Sequence, residues 1–143
     1  MTDNFVVRPV TAGGWDYIAA ALVRLFVRLR ETEQHHCVVV DVGPEAYVQF
    51  IVRPDGGLWA ESIGDNYRSN DFGDDDRREL RLLHWNEPEL FGRGHGNYWH
   101  EYEEPGHDLE AATIAVLTCI DVHRAEPETK VKVAVFEAVG SRG

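Results

Sequence analysis

At 143 residues the chain has the length of one domain and no room for a second core. Its 43% hydrophobic content and its scattered Trp, Tyr and Phe are those of a globular protein. Acidic residues outnumber basic ones 25 to 14, a formal net charge of -11. This argues against nucleic acid and anionic membranes as partners, since both need clustered Lys and Arg, and it favours solubility and basic partners.

Cys37 and Cys119 lie far apart, each in an apolar run, with no CxxC pairing. Each reads as a small core hydrophobe, and no disulfide is required. Residues 1–12 lack a basic start followed by an apolar core, so no secretory leader is expected. Arg24, Arg28 and Arg30 interrupt the longest apolar stretch before it reaches spanning length. A cytoplasmic location follows by default. The expected organisation is a single domain over 1–143, with 1–12 an extended N-terminal arm and 14–139 the core.

Trp15 to about Glu31 predicts the first helix, with Trp15, Ile18, Ala19, Leu22, Leu25, Phe26 and Leu29 on one face. Asp16 near its start and Arg28 and Arg30 near its end suit the helix dipole. Cys37 to Val42 is a β-branched strand, closed by Gly43-Pro44. Ala46 to Arg53 alternates, with Val48, Phe50 and Val52 on one face and Tyr47, Gln49, Ile51 and Arg53 on the other. Pro54-Asp55-Gly56-Gly57 supplies a tight turn, and Leu58 to Ile63 pairs back antiparallel, completing a three-strand meander.

A polar loop follows over 64–73. Asp76 with Glu79 reads as a capping box for a short second helix reaching His84, after which Trp85 anchors into the core. The acidic run Asp71, Asp74, Asp75, Asp76 lacks the ligand spacing of a calcium loop, and capping with solvation explains it better. Gly92 to Asn97 is glycine-rich but has no Lys followed by Ser or Thr, and it precedes a strand over Asn97 to Glu103, which disfavours a phosphate loop. Asp108 is expected to cap a third helix reaching His123 that is apolar on most sides, so its burial needs either the sheet plus a neighbour or a second subunit. Lys130 to Val139 is a last strand, with Val131, Val133 and Val135 on one face. The fold class is therefore α+β: an antiparallel sheet, the meander plus two further strands, flanked by three helices.

The Tyr47-Val48-Gln49-Phe50 strand, the Leu58-Trp59-Ala60-Glu61 strand and the Asn66-Tyr67 loop carry a family pattern. So do the Leu82-to-Pro88 run and the Asn97-Tyr98-Trp99 strand before an apolar helix. With these motifs the chain, over about residues 14–139, resembles the bacterial YbjN and type III secretion chaperone-like (TY-Chap) domains. His84 stands where a glycine is usual before the Trp, and Tyr98 intervenes where a Trp usually follows the Asn. The resemblance implies a secretion-chaperone-like fold with a curved sheet and a small dimeric binding module for a protein or peptide; it does not imply catalysis.

Candidate chemistry is sparse. Cys119 and His123 are one helical turn apart and could share a metal with Cys37 or His36, but a core thiol and a helix-end histidine explain the spacing better. His95, His100 and His107 with Glu101, Glu103 and Glu104 form the densest titratable cluster, without a legible nucleophile, base and orienting group. No catalytic residue, metal site or cofactor is assigned. The leading expectation is a non-enzymatic chaperone-like or adaptor domain, a homodimer that binds a client through Tyr47, Gln49, Ile51, Trp59 and Glu61. Ile114, Thr118 and Val122 are the candidates for the dimer interface. The alternative is a small metal-dependent or acid–base enzyme using the cluster over 95–107.

Overall fold

The period-two and period-3.6 patterns resolve into nine elements in a computed structural model, which describes residues 2–6, 14–64, 72–89, 92–126 and 129–137. In chain order they are β1 (Thr2–Val6), α1 (Trp15–Arg30), β2 (His36–Gly43), β3 (Ala46–Val52), β4 (Leu58–Ser62), α2 (Asp74–Leu82), β5 (Tyr98–Tyr102), α3 (Asp108–Asp121) and β6 (Lys132–Glu137). The strands form one antiparallel sheet in the order β1-β6-β2-β3-β4-β5. This is the α+β architecture expected, with one strand more. Thr2–Val6, assigned from sequence to the arm, pairs with β6 and puts Thr2 opposite Phe136 and Val6 opposite Lys132.

The β3–β4 turn is built as its residues dictate. Asp55 Oδ1 accepts the Gly57 N–H at 2.8 Å, and the Gly56 N–H donates to the Arg53 carbonyl. Gly56 takes φ 103°, and a Cβ there would stand 2.6 Å from Pro105, so both conformation and space demand glycine.

One face of the sheet carries the core. Val38, Val40, Val48, Phe50, Val52, Leu58 and Ala60 are almost wholly buried there, beneath Ile18, Leu22 and Phe26 of α1 and Ala112, Ala115 and Cys119 of α3. Phe26 meets Phe50 edge-on with ring centres 5.0 Å apart. Arg30, at the end of α1, holds the start of α3 by a two-point ion pair with Asp108 (2.5 and 2.7 Å), and its Nε donates to the Arg53 carbonyl. Asp108 therefore serves as an ion-pair partner rather than a cap, and His107 stands at the N-cap position.

The second helix starts earlier than expected. Gly73 is its N-cap, and Asp76, three positions in, accepts the Gly73 N–H at 3.0 Å. Asp76 is thus the return arm of the cap, and its buried carboxylate also takes a hydrogen bond from Arg124 Nη2. Asp74 and Asp75 are exposed and pair with Arg77 and Arg78. Residues 65–71, which hold Asp71 and most of the expected polar loop, lie outside the described residues. Trp85 is buried, its Nε1 donating to Thr118 Oγ1 at 2.9 Å.

Candidate functional site

In β3 and β4 buried and half-buried residues alternate throughout, and in β2 as far as Asp41, as strands covered on one face must. The residues that alternate with the core set form the second face, half-buried except for Trp99, which is buried at the β5 edge, and register lays them out in rows. One row runs Phe136, Cys37, Ile51, Trp59, Glu101; the next runs Ala134, Val39, Gln49, Glu61, Trp99. Tyr47, opposite Asp41, belongs to a third. Tyr47, Gln49, Ile51, Trp59 and Glu61 therefore share one face, opposite the helices.

The centre of that face is ordered by hydrogen bonds and ring stacking. Trp59 and Trp99 stack with centres 5.3 Å apart and planes 4° from parallel. Glu61 gathers three donors: Gln49 Nε2 at 3.0 Å and Asn97 Nδ2 at 3.0 Å on Oε1, and Trp59 Nε1 at 2.7 Å on Oε2. Neighbouring Glu101 is neutralised by Arg53 at 2.7 Å. At the β5 edge the chain folds back over Trp99. Asn86 and Trp99 exchange backbone hydrogen bonds, Trp99 Nε1 donates to the Glu87 carbonyl, and the Arg93 guanidinium lies 5.0 Å over the Trp99 ring. Gly94, at φ 78°, lets the backbone approach, since a Cβ there would sit 3.1 Å from that ring.

Trp99, Asn97 and Arg93 were not singled out from sequence as site residues. The alternation over Asn97 to Glu103 was visible, but the pairing of Glu61 with Trp99, which brings them to the face, is a tertiary fact.

The third helix gives a different outcome. Thr118 and Val122 are fully buried within the one chain, Thr118 bonding Trp85 and the Ile114 carbonyl. Their side chains are already committed to the intramolecular core and offer a second copy no surface. Ile114 is half-buried, and the exposed apolar residues of α3 are Leu109 and Leu117.

The titratable clusters do not converge. His100 lies on the helix side of β5, its Nδ1 3.0 Å from the His84 carbonyl, while Glu101 faces the other way. His107 pairs with Glu110, and His95 sits in the 3-10 turn over Arg93–Gly96. His36 Nδ1 bonds the Gln34 carbonyl, and His123 Nε2 lies 3.0 Å from Ser62 Oγ. Burial pushes the Cys119 thiol up to about 12, with Asp41 adding to it, and raises that of Cys37, with Glu61 adding to it. Among the described residues, no three His, Cys, Asp or Glu side chains are grouped to hold a metal. A concavity of about 430 Å³ beside α1 is lined mainly by apolar residues, with Arg24 and Arg28 its charged groups. Among the described residues no helix is long and apolar enough to cross a membrane.

No curated protein and no solved structure matches the chain. A family profile does, over residues 8–132, spanning every element from α1 to the start of β6. Its description is T3SS (YopN, CesT) and YbjN peptide-binding chaperone 3. With an antiparallel sheet, a helical layer on one side and an ordered aromatic face on the other, the chain belongs to this TY-Chap family of peptide-binding chaperones.

Proposed function

We propose that the protein is a non-enzymatic chaperone that holds a peptide segment of a client protein on the sheet face formed by Tyr47, Gln49, Ile51, Trp59 and Glu61, together with Trp99. The carrying observation is that face itself: half-buried aromatic and aliphatic side chains in register, with a fixed polar centre, on the side away from the helices. Such a surface suits an extended segment, whose side chains supply the missing contacts. The family's peptide-binding character points the same way. The scattered titratable groups give no support to the enzyme alternative.

The finer parts of the reading are a homodimer and a cytoplasmic setting. Exposed Leu109 and Leu117 of α3 and Val27 of α1 support a helix-side interface, leaving the sheet face free for the client. Free Cys37 and Cys119 suit a reducing compartment.

The test is selection of random dodecapeptides on the immobilised protein, followed by affinity measurement of the enriched sequences. Trp59→Ala and Ile51→Ala should each weaken binding about tenfold or more, the scale of an interface anchor. Leu82→Ala, on exposed α2, should leave it unchanged. Failure to enrich any peptide, or equal binding by all three variants, rejects this reading.

A further inference from the structure

Glu61 is the feature of the sheet face that intramolecular packing does not account for. It is a half-buried carboxylate at the centre of the sheet, and every donor on it is neutral: Gln49, Trp59 and Asn97. The nearby cation, Arg53, is engaged with Glu101. Withdrawing a carboxylate from water without a counter-charge is unfavourable, and an incoming cation removes that penalty. A carboxylate has about four lone-pair positions, and three donors are in place, so one direction on Oε2 is left for a ligand.

A second, independent feature lies one amide group away. Asn97 is more than nine-tenths buried, and its Oδ1 has no hydrogen-bond donor. Its orientation is fixed, because turning the amide over would set oxygen against the Glu61 carboxylate where Nδ2 now donates. That oxygen is closed to solvent, so what Asn97 brings to the face is its Nδ2 hydrogen bond, which holds the Glu61 carboxylate in place. Glu61, held by Asn97, is thus a fixed carboxylate with one acceptor direction unfilled and, among the described residues, no cation bonded to it.

Stacked indoles adjoin this carboxylate. Arg93 already lies over Trp99, so this platform accepts a guanidinium within the protein's own structure. Arginine is the side chain that combines a flat cation able to stack on indole with several N–H donors in a fixed fork. The overall charge of -11 favours approach of a basic segment.

From this arrangement we infer that the sheet face selects client segments carrying an arginine, whose guanidinium pairs with Glu61 beside Asn97 and packs against the Trp59–Trp99 stack. This rests on the sheet face being the client site, and it adds which chemistry the client must present. Lysine lacks both the plane and the fork, so it fills the site less well.

The dodecapeptide selection provides the probe. Enriched peptides should carry arginine at one fixed position relative to their apolar residues. In a synthesised winner, replacing that arginine by citrulline, its neutral near-isostere, should weaken binding to the wild-type protein about tenfold. The same replacement should cost less than twofold on Glu61→Gln, whose fold is checked by its melting curve. Enrichment of peptides with no fixed arginine, or an equal citrulline penalty on both proteins, overturns the inference while leaving the sheet-face reading intact. Failure to enrich any peptide overturns both.

Discussion

His84 shows how a single residue records a local compromise. It follows α2 with φ 71°, in the left-handed region that favours glycine. Glycine, which the family resemblance leads one to expect there, takes that conformation without strain. His84→Gly should therefore stabilise the protein by about 1 kcal/mol, read as a higher urea midpoint, because the carbonyl facing His100 Nδ1 is retained. Cys119 carries the opposite kind of residue-level information. Its thiol is raised from 9.0 to about 12 by burial and Asp41, so above pH 9 the unfolded chain gives up a proton that the native state retains. Stability should fall as pH rises, by about 1 kcal/mol between pH 9 and 10 from this thiol, and Cys119→Ala should show a shallower decline in urea titrations.

At the scale of elements, the decisive contacts join segments that are far apart in the chain. The Arg30–Asp108 pair ties the end of α1 to the start of α3, with both side chains largely shielded. Asp108→Asn should cost about 1 to 3 kcal/mol, measured by chemical denaturation, because Arg30 is left without its counter-charge. The sequence had offered Asp108 as a cap, since a carboxylate beside a helix start suits that role equally well. The same ambiguity placed Asp76 at the wrong end of its capping box: with Asp at 74, 75 and 76, only the backbone path decides which carboxylate returns to the N-cap. The strands were legible because period-two alternation survives burial on one face, and β3 and β4 displayed it plainly. Helix α3 was legible as buried, but its partners were not. Trp85 and the sheet supply much of its cover, the first of the two alternatives the sequence left open.

For the molecule as a whole, the two sides of the sheet divide the work. Helices α1 and α3 close one side into a core, and the other presents Trp59, Trp99 and Glu61. A helix-side dimer would leave that second face accessible in both copies. Light scattering coupled to size exclusion should report twice the 16.2 kDa chain mass at micromolar concentration, and Leu109→Glu with Leu117→Glu should return it to a monomer; a wild-type monomer would reject the dimer.

The sequence by itself determined the element order from α1 onward, the meander, the core residues of β3 and the family pattern, because hydrophobic period and turn chemistry are local properties. It also separated Tyr47, Gln49, Ile51, Trp59 and Glu61 from the core, since alternation assigns faces without reference to the rest of the fold. What only the tertiary structure decided was the strand order, the addition of β1, and the company these five residues keep. Trp99 and Asn97 reach Glu61 from more than thirty positions away because β5 pairs with β4. Long-range pairing of this kind depends on which edges remain free after the hairpins close, and no local period encodes it.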